Sequence, residues 1–318
     1  MYKGATVGVI VPAYNEAKLI GRVVETMPDY IDKIIVVDDA SRDSTCEVVR
    51  SYKSSLGDRL ILIEHEKNQG VGGAIASGYK WARDNKLEIS VVMAGDAQMD
   101  PGDLPKLLDP VLNGEADYTK GNRLFSGEAW KIIPKLRYFG NAILSLLTKI
   151  ASGYWHVADS QSGYTATTLE VLKTLDLDGI HKRYGVPNDL LVKLNVYGFR
   201  VKDVPITPIY GIGEESGIRI NRVVFTLSFL LLKLFFWRMR EKYIIRDFHP
   251  LIFFYSLGLT LFPAGLLLGL YLFSHRLFLG PVSATSALFA TFLFVSGLQS
   301  LFFAMWFDME YSRNNLRR

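Results

Sequence analysis

Two long apolar segments near the C-terminus constrain this chain more than any other feature of its sequence. They run from Pro250 to Phe273 and from Ala284 to Phe307, and neither contains an acidic or basic residue. Each is longer than the ~20 residues that a helix needs to cross a bilayer. With only Ser274–Ser283 between them, they predict a hairpin of two transmembrane helices. A buried hairpin in a soluble protein is the alternative, and two uninterrupted runs of this length disfavour it.

The basic residues around this hairpin predict its orientation. Those before it are Arg238, Arg240, Lys242 and Arg246, and those after it are Arg313, Arg317 and Arg318, whereas the link holds His275 and Arg276. Cytoplasmic segments of membrane proteins carry an excess of Lys and Arg. We therefore expect an integral membrane protein whose two termini, and everything before the hairpin, lie on the cytoplasmic side.

The remaining composition agrees with that placement. The single cysteine, Cys46, cannot form an internal disulfide, which fits a reducing compartment. Met1–Val7 is short and flanked by polar residues, so no signal peptide is expected there. The formal net charge of +4 is modest and does not indicate nucleic-acid binding, so no nucleic-acid partner is predicted.

Composition changes sharply near Arg222, and this change divides the chain. Residues 1–221 have the composition of a soluble domain, residues 222–248 form a juxtamembrane segment, and residues 249–318 contain the hairpin and a short basic tail. Arg222–Tyr243 is strongly apolar but contains Lys233, Arg238, Arg240 and Lys242. That pattern favours an amphipathic helix lying in the headgroup region over one that crosses the bilayer.

Strand-like and helix-like patterns alternate through the soluble part. The predicted strands are Val7–Val11, Lys33–Val37, Leu60–Glu64, Val91–Ala94 and Ala116–Lys120, and the predicted helices lie within Glu16–Met27, around Val48–Tyr52, in Gly70–Ala82 and in Leu104–Leu112. Further on we expect a long helix within Trp130–Ser152, a strand at Thr165–Thr167, a helix at Asn188–Tyr197 and an edge strand at Phe199–Val204. Alternation of this kind predicts an α/β domain with a doubly wound, mainly parallel sheet.

The segment Val91–Pro101 changes from apolar to polar within a few residues. Asp96 and Gln98 follow the apolar part, and Gly95 permits a close approach of the backbone. Oxygen ligands at the carboxyl end of a buried strand suit a hard divalent cation that carries phosphates. An Asp-rich turn with no ligand is the structural alternative for this segment taken alone.

Two other strand ends carry residues suited to a nucleoside. Tyr14 could stack on a base, and Glu16 could accept a hydrogen bond from a base or ribose, although a helix N-terminal charge is its structural alternative. Asp38 and Asp39 are neighbours on a strand and point to opposite sides, so only one can face the cleft. Its spacing from the apolar Val37 favours Asp39, with a turn-forming Asp as the alternative.

A glycine-rich segment, Asn68–Ala74, resembles a phosphate loop at first sight. It lacks the Lys-Ser/Thr ending of a P-loop and the spacing of a dinucleotide-binding loop. We expect its small residues to let a helix pack close to the nucleotide.

A second polar set contains several arginines. It comprises Gly121-Asn122-Arg123, then Arg137 and Asn141 four residues apart, and Arg219 just before the membrane segment. A guanidinium matches a phosphate with two hydrogen bonds. Arginines between a soluble site and a membrane indicate a phosphate on a lipid, while contact with anionic headgroups is the alternative for any one of them.

Together these motifs resemble glycosyltransferase family 2, specifically its branch that acts on polyprenyl phosphates. The matching segments are Val11–Glu16, Val36–Ser41, Asn68–Gly78, Gly95–Pro101, Gly121–Leu124 and Asp159–Tyr164. The resemblance covers about Val7–Arg222, and some members have a similar two-helix anchor. It implies a GT-A fold, an inverting reaction and a divalent cation, Mg²⁺ or Mn²⁺.

The resemblance also implies roles for individual residues. The nucleotide would be bound by Pro12, Tyr14, Glu16, Val37, Asp39, Gly95 and Asp96; the metal by Asp96 and Gln98; and the acceptor phosphate by Arg123, Arg137, Asn141 and Arg219. Asp96 and the three arginines would carry catalysis. Asp159 and Asp189 match acidic positions that face the cleft in the family, with no role assigned.

Two positions depart from the family pattern. Ala94 stands where many members have the first acidic residue of the metal motif, which affects the affinity for the ion or the ion preferred. The loop Gly213–Gly217 lacks a flanking basic pair, and Arg219 is taken as its substitute. Both departures favour a UDP-hexose or UDP-N-acetylhexosamine over GDP-mannose as the donor.

The predicted function is therefore transfer of a sugar from a nucleotide-sugar to polyprenyl or dolichyl phosphate at a bilayer. GDP-mannose-dependent dolichyl-phosphate mannose synthesis is the nearest alternative. A processive polysaccharide synthase and a membrane-anchored nucleotide sensor are more distant ones. Association of copies through the transmembrane helices is compatible with the sequence.

Overall fold

The computed structural model describes residues 1–124, 135–207, 209 and 220–315. Its chain divides into two compact units, Met1–Phe235 and Phe236–Arg318. We describe each unit separately.

The first unit is built on one seven-stranded sheet with the strand order β3-β2-β1-β4-β6-β5-β7. The strands are β1 (Val7–Ala13), β2 (Lys33–Asp38), β3 (Leu60–Glu64), β4 (Ile89–Val92), β5 (Tyr118–Asn122), β6 (Thr165–Thr168) and β7 (Val201–Pro205). The pairs β1–β2, β1–β4, β2–β3 and β5–β7 are parallel, whereas β6 runs antiparallel to β4 and β5. The predicted doubly wound, mainly parallel α/β sheet is thus confirmed, with one reversed strand in its interior.

The helices of this unit connect and cover the strands. They are α1 (Ile20–Glu25), α2 (Thr45–Ser51), α3 (Lys53–Leu56), α4 (Val71–Asp84), α5 (Leu104–Leu112), α6 (Lys135–Ser152), α7 (Leu169–Thr174) and α8 (Val186–Val196). A further helix, α9 (Ile220–Arg240), begins in this unit and is followed by a π-helical turn, Glu241–Arg246.

Alternating residues of the strands fill two separate cores, one on each face of the sheet. In β1, Val9 and Val11 pack into the core that contains α1, α2 and α5, whereas Ile10 packs into the core that contains α4, α7 and α8. In β2, Val36 and Val37 divide in the same way. This is the two-residue period of a strand buried on both faces, and it explains why these strands are continuous apolar runs.

Several predicted boundaries move by about two residues. β4 and β5 lie at Ile89–Val92 and Tyr118–Asn122 rather than Val91–Ala94 and Ala116–Lys120. Pairing with β6 sets both ranges, because Ile89 lies opposite Thr168 and Tyr118 opposite Thr167. The predicted strand Thr165–Thr167 is confirmed as β6, a run of Thr and Ala, but its antiparallel direction was not predicted.

The second unit contains the two long apolar helices, α10 (Leu251–Phe278) and α11 (Ala284–Asn315). Both are long and apolar enough to cross a membrane. They pack closely at small residues: a Cβ added at Gly265 or Gly297 would collide with the backbone of Phe294 or Phe262. The predicted link Ser274–Ser283 is too long, because α10 continues through His275 and Arg276, and basic side chains are favourable in a last helical turn.

A buried ion pair, Arg238–Asp308, joins the end of α9 to α11 within this unit. Arg238 donates two hydrogen bonds of 2.9 Å to the Asp308 carboxylate, and both side chains are fully buried. The Tyr243 hydroxyl donates to Asp308 Oδ1 at 2.6 Å. Lys242 is 6% exposed. Arg238 and Lys242, two of the four basic residues in the predicted amphipathic segment, are therefore buried.

Candidate active site

The carboxyl ends of β1, β2 and β4 meet at one edge of the sheet, where ligands of doubly wound folds bind. The loops that follow these strands contain Asn15, Ala40 and Ala97, with φ of 58°, 61° and 56°. Within the described ranges, these are three of the five non-glycine residues with positive φ. A left-handed conformation is costly for an alanine, and such strain accumulates at functional sites.

Hydrogen bonds tie the loops after β1 and β2 together. Asn15 N donates to Ser41 Oγ at 2.9 Å, Glu16 N donates to Thr45 Oγ1 at 2.9 Å, and Arg42 N donates to Asn15 Oδ1 at 2.8 Å. The peptide groups of the predicted nucleotide loop are therefore held before any ligand arrives.

The predicted nucleotide residues differ in exposure. Tyr14 is 43% exposed, as stacking on a base requires, and Pro12 and Glu16 are partly buried. Gly95 approaches β1 closely, because its N–H donates to Pro12 O at 3.3 Å. Val37 is fully buried in the core on the α4 side of the sheet, so its side chain is not exposed to a ligand.

Asp39 is 2% exposed and organises the glycine-rich segment. Its Oδ1 accepts from Gln69 N at 2.8 Å, and its Oδ2 accepts from Gly70 N at 2.7 Å. The carboxylate thus lies at the N-terminus of α4, where a negative charge is favourable. Asp38 turns away and accepts from Ser41 N at 3.0 Å, so the two neighbours diverge as predicted.

The glycines in and after this segment allow close packing within the protein. A Cβ at Gly70 or Gly72 would collide with the carbonyl of Lys182 or His181, and one at Gly78 would collide with Ile10. The small residues therefore let α4 pack against β1 and against the 181–182 backbone. The expectation that they bring the helix close to the nucleotide is not supported by these contacts.

Asp96 and Gln98 lie in the loop after β4. Asp96 Oδ1 accepts from Gln98 N at 3.1 Å, and both residues are partly exposed. The part of the chain that the structure describes contains no group of three His, Cys, Asp or Glu residues that could hold a metal. A carboxylate and an amide together fit an ion such as Mg²⁺ that takes its other ligands from phosphates and water, and they do not fit a site built only from protein.

Arg123 and Asp159 form a two-pronged ion pair beyond the end of β5. Arg123 Nε is 2.7 Å from Asp159 Oδ2, and its second terminal nitrogen is 3.1 Å from Oδ1. Asp159 is almost fully buried, while 27% of the Arg123 side chain is exposed. Burial by itself raises the pKa of Asp159, but the charge and hydrogen bonds of Arg123 outweigh it and hold the pKa below its usual value. Asp159 thus orients Arg123, a role that sequence reasoning left open.

Lys120 is a buried charged residue close to this ion pair that sequence reasoning missed. Its side chain is fully buried two residues before the end of β5, and its ammonium donates to the carbonyl of Ser162 in the loop that carries Asp159. Burial lowers the pKa of Lys120 to about 8, against the opposing charges of Asp159 and Asp203. A lysine inside the predicted strand Ala116–Lys120 was the available signal.

Asp189 is 4% exposed, which is similar to the burial of Asp39 and Asp159. Its Oδ2 accepts from His181 N at 2.9 Å and from Lys193 Nζ at 2.7 Å. These bonds hold the backbone at His181, and a place for Asp189 in the cleft stays a prediction.

The remaining acceptor residues stay predictions. The backbone of Arg137 and Asn141 belongs to α6, but their side chains lie outside the described part of the structure. Arg219 and Gly213–Gly217 also lie outside the described residues.

Comparison with known proteins finds one matching family and several similar proteins. Residues 8–176 match the family described as Glycosyl transferase family 2. The chain is 34% identical over 213 residues to a UDP-N-acetylglucosamine–dolichyl-phosphate N-acetylglucosaminyltransferase of Methanococcus voltae, covering 63% of this chain and 84% of that protein. It is 30% identical over 203 residues to an undecaprenyl-phosphate mannosyltransferase of Micrococcus luteus, covering 62% of this chain and 81% of that protein.

Solved structures share the fold. A glucosyl-3-phosphoglycerate synthase of Mycobacterium tuberculosis, crystallised with Mg²⁺ and uridine diphosphate, superimposes with a TM-score of 0.53. The match has 18% identity and covers 74% of this chain and 80% of that one. Together with the strand order, this likeness shows a GT-A fold.

Proposed function

The chain belongs to glycosyltransferase family 2, and from that premise we propose that it transfers a sugar from a nucleotide-sugar to a polyprenyl or dolichyl phosphate. The observation that carries the proposal is the similarity, along more than four-fifths of their length, to relatives named for this acceptor class. The two apolar helices long enough to span a membrane fit an acceptor that resides in the bilayer.

A UDP-linked sugar, a hexose or an N-acetylhexosamine, is the donor we favour. Ala94 departs from the mannose-transferring pattern, and the more similar of the two relatives is named for UDP-N-acetylglucosamine. GDP-mannose is the second candidate, because the other relative, and a dolichol-phosphate mannosyltransferase of Pyrococcus furiosus, are named for mannose transfer.

The acceptor needs little activation. A phosphate monoester has its second pKa near 6 and is already anionic at neutral pH, so no general base is required. The protein's contribution is then positioning and charge stabilisation. Arg123, oriented by Asp159, would hold the lipid phosphate in line with the anomeric carbon, with Arg137, Asn141 and Arg219 completing the acceptor site.

The donor would lie between the loops after β1, β2 and β4. Tyr14 would stack on the base, Asp39 would accept from the base or ribose, and Asp96 with Gln98 would hold a divalent cation on the diphosphate. Bound there, the cation would neutralise the charge of the departing nucleoside diphosphate. The sugar's anomeric carbon would then face the acceptor phosphate, and inversion follows from a single displacement.

Contact with the bilayer would extend beyond the hairpin to α9. One face of α9 is buried at Leu227 and Leu231, whereas Phe225 and Phe229 are 80% and 72% exposed. Phe225, Phe229, Leu232 and Phe236 follow a helical period, so they form one exposed apolar stripe. A helix of this kind suits the headgroup boundary, with the catalytic unit and both termini in the cytoplasm.

The test is a transfer assay on the full-length protein in detergent with polyprenyl phosphate, Mg²⁺ and a panel of labelled UDP- and GDP-sugars. We expect label in a chloroform-soluble product with one donor, and none with Asp96→Ala. Insoluble polymer would indicate a processive synthase, although the sequence contains no Gln-x-x-Arg-Trp motif. Absence of any product with every donor would favour a nucleotide sensor, and transfer at the wild-type rate by Asp96→Ala would refute the metal assignment.

A further inference from the structure

A buried chain of three side chains leads from Asp39 into α4. His65, the residue after β3, places Nδ1 2.8 Å from Asp39 Oδ1. On its other side, His65 Nε2 is 2.8 Å from Ser77 Oγ. The side chains of His65 and Asp39 are only 6% and 4% exposed, so water does not compete for these bonds.

The geometry determines where the protons are. A carboxylate can only accept, so His65 Nδ1 carries a hydrogen and donates it to Asp39. In the neutral imidazole, Nε2 is then an acceptor, and the Ser77 hydroxyl can donate to it. The Asp39 carboxylate therefore fixes the tautomer of His65, and the Ser77 hydroxyl, which can donate or accept, adapts to Nε2.

The same carboxylate holds the loop before α4. Besides the bonds from Gln69 N and Gly70 N, the Asn68 side chain donates to the Asp39 carbonyl at 3.1 Å. Three donors from the connection between β3 and α4 thus converge on one carboxylate: the His65 side chain and two peptide groups. Removing the His65 donor leaves the carboxylate with the two peptide N–H bonds.

We propose that His65 is a positioning residue of the donor site, which holds the Asp39 carboxylate in the orientation that receives the nucleoside. The inference rests on the proposed function, in which Asp39 accepts a hydrogen bond from the donor. Uracil and guanine each present a ring N–H, so the argument applies to either base. Loss of the hydrogen bond from His65 weakens binding of the nucleotide-sugar and leaves the chemistry at Asp96 and Arg123 intact.

Two substitutions test the hydrogen bonds of the two His65 ring nitrogens separately. The amide of asparagine reaches the position of Nδ1, so His65→Asn keeps a donor for Asp39 and loses the bond with Ser77. The amide of glutamine reaches the position of Nε2, so His65→Gln keeps the Ser77 contact and loses the Asp39 donor. Both replace the ring with a smaller amide, so each controls for the lost packing of the other.

The expected result is a split between the two variants. His65→Gln raises the donor KM about tenfold, the effect of one hydrogen bond to a charged group, and leaves kcat nearly unchanged. His65→Asn keeps a donor KM close to that of the wild type. Equal donor KM values for the two variants, or a loss confined to kcat, would overturn the proposal. Circular dichroism and thermal unfolding of each full-length variant identify a folding defect.

Two further readouts do not depend on transfer. Calorimetric binding of UDP and GDP with Mg²⁺ should show the same order, with His65→Gln weaker than His65→Asn. ¹⁵N NMR of the histidine rings in the unliganded protein should show His65 with its hydrogen on Nδ1, and a hydrogen only on Nε2 would overturn the assignment even if a variant fails to fold.

The readouts also separate this inference from the proposed function. If no lipid product forms but the nucleotide affinities follow the Asn and Gln pattern, the proposed function fails and the inference holds. If the wild type transfers sugar and the two variants behave alike, the inference fails and the function holds. Failure of the wild type to bind either nucleotide overturns both.

Discussion

Each unit of this protein contains an arginine that grips an aspartate with two hydrogen bonds, and the two pairs differ in exposure. In the pair Arg238–Asp308 of the second unit, both side chains are fully buried. In the pair Arg123–Asp159 of the first unit, the aspartate is buried but 27% of the arginine side chain remains exposed. The same chemistry thus serves two purposes, because only the half-exposed pair can offer its charge to a ligand.

A buried lysine accompanies each pair. Burial lowers the pKa of Lys120 to about 8 near Arg123–Asp159. Near Arg238–Asp308, burial and the charge of Arg238 together lower the pKa of Lys242 to about 7. In both places a second cation accompanies an ion pair inside the protein. The cost of such burial is high, and an ion pair by itself is weak evidence for stability. The two pairs are therefore best compared by removing one partner of each and measuring the result.

The largest effect is expected from breaking the fully buried pair. Asp308→Asn leaves the Arg238 charge buried without its carboxylate and replaces one of the two oxygens that accept from Arg238 and Tyr243 with an amide NH₂, which cannot accept. We expect a loss of about 3–5 kcal/mol in the free energy of unfolding. Thermal unfolding of the full-length protein in detergent measures it. The matched control is Asp247→Asn, an exposed acid of the same unit. Equal stability of Asp308→Asn and Asp247→Asn would contradict a structural role for the buried pair.

The next effect concerns the packing of the two apolar helices. Gly265→Ala would place a methyl group against the backbone of Phe294, whereas a methyl group at Gly269, one turn away in α10, meets nothing within 4 Å. We expect Gly265→Ala to destabilise by about 1–3 kcal/mol, because the helices must move apart. Gly269→Ala should match the wild type in the same unfolding assay, and a similar loss at both positions would contradict the close packing.

The smallest effect is the pH dependence contributed by Lys120. Its pKa is lower in the folded protein than in the unfolded chain, so between pH 8 and about 10.4 the unfolded chain binds more protons and this group makes stability rise with pH. Below that window both states are protonated and the cost of burying the charge is at its full value. Lys120→Met removes this contribution.

The measurement is the melting temperature at pH 8 and pH 10 for each variant. The difference between the two pH values should change by about 2–4 °C in Lys120→Met for each kcal/mol that this lysine contributes. Lys202→Met, which removes the exposed partner of Glu115, is the control and should leave the pH difference unchanged. An unchanged pH difference in Lys120→Met would show that the buried lysine does not titrate in this range.

The sequence predicted the sheet well because β1, β2 and β3 are apolar runs that end at polar residues. It did not predict the reversal of β6, since direction depends on pairing with β4 and β5 and not on a local pattern. The two long helices were predicted from length alone. Their ends were misplaced because the apolar run stops at Phe307, whereas the helix continues through Asp308 and uses that charge inside the unit.

The candidate site was predicted less completely than the fold. Motif positions gave Asp96, Arg123 and Asp39 as candidates. They did not predict that Asp159 pairs with Arg123 or His65 with Asp39, because these partners come from segments distant in sequence. Asp189 matches an acidic position of the family pattern, but its hydrogen bonds to His181 N and Lys193 were not predicted. Lys120 was overlooked because a charged residue in a strand ordinarily faces solvent.

The central claim is that Arg123 meets the phosphate of the lipid acceptor, and its most direct test is the transfer rate as a function of polyprenyl phosphate concentration in Arg123→Ala. We predict that the acceptor KM rises about 10–100-fold, the effect of losing a charge-assisted hydrogen bond, while the donor KM stays near the wild-type value. The matched control is Arg200→Ala, which removes another two-pronged pair, with Asp117, before the start of β7. An unchanged acceptor KM in Arg123→Ala, or an equal rise in Arg200→Ala, would contradict the account.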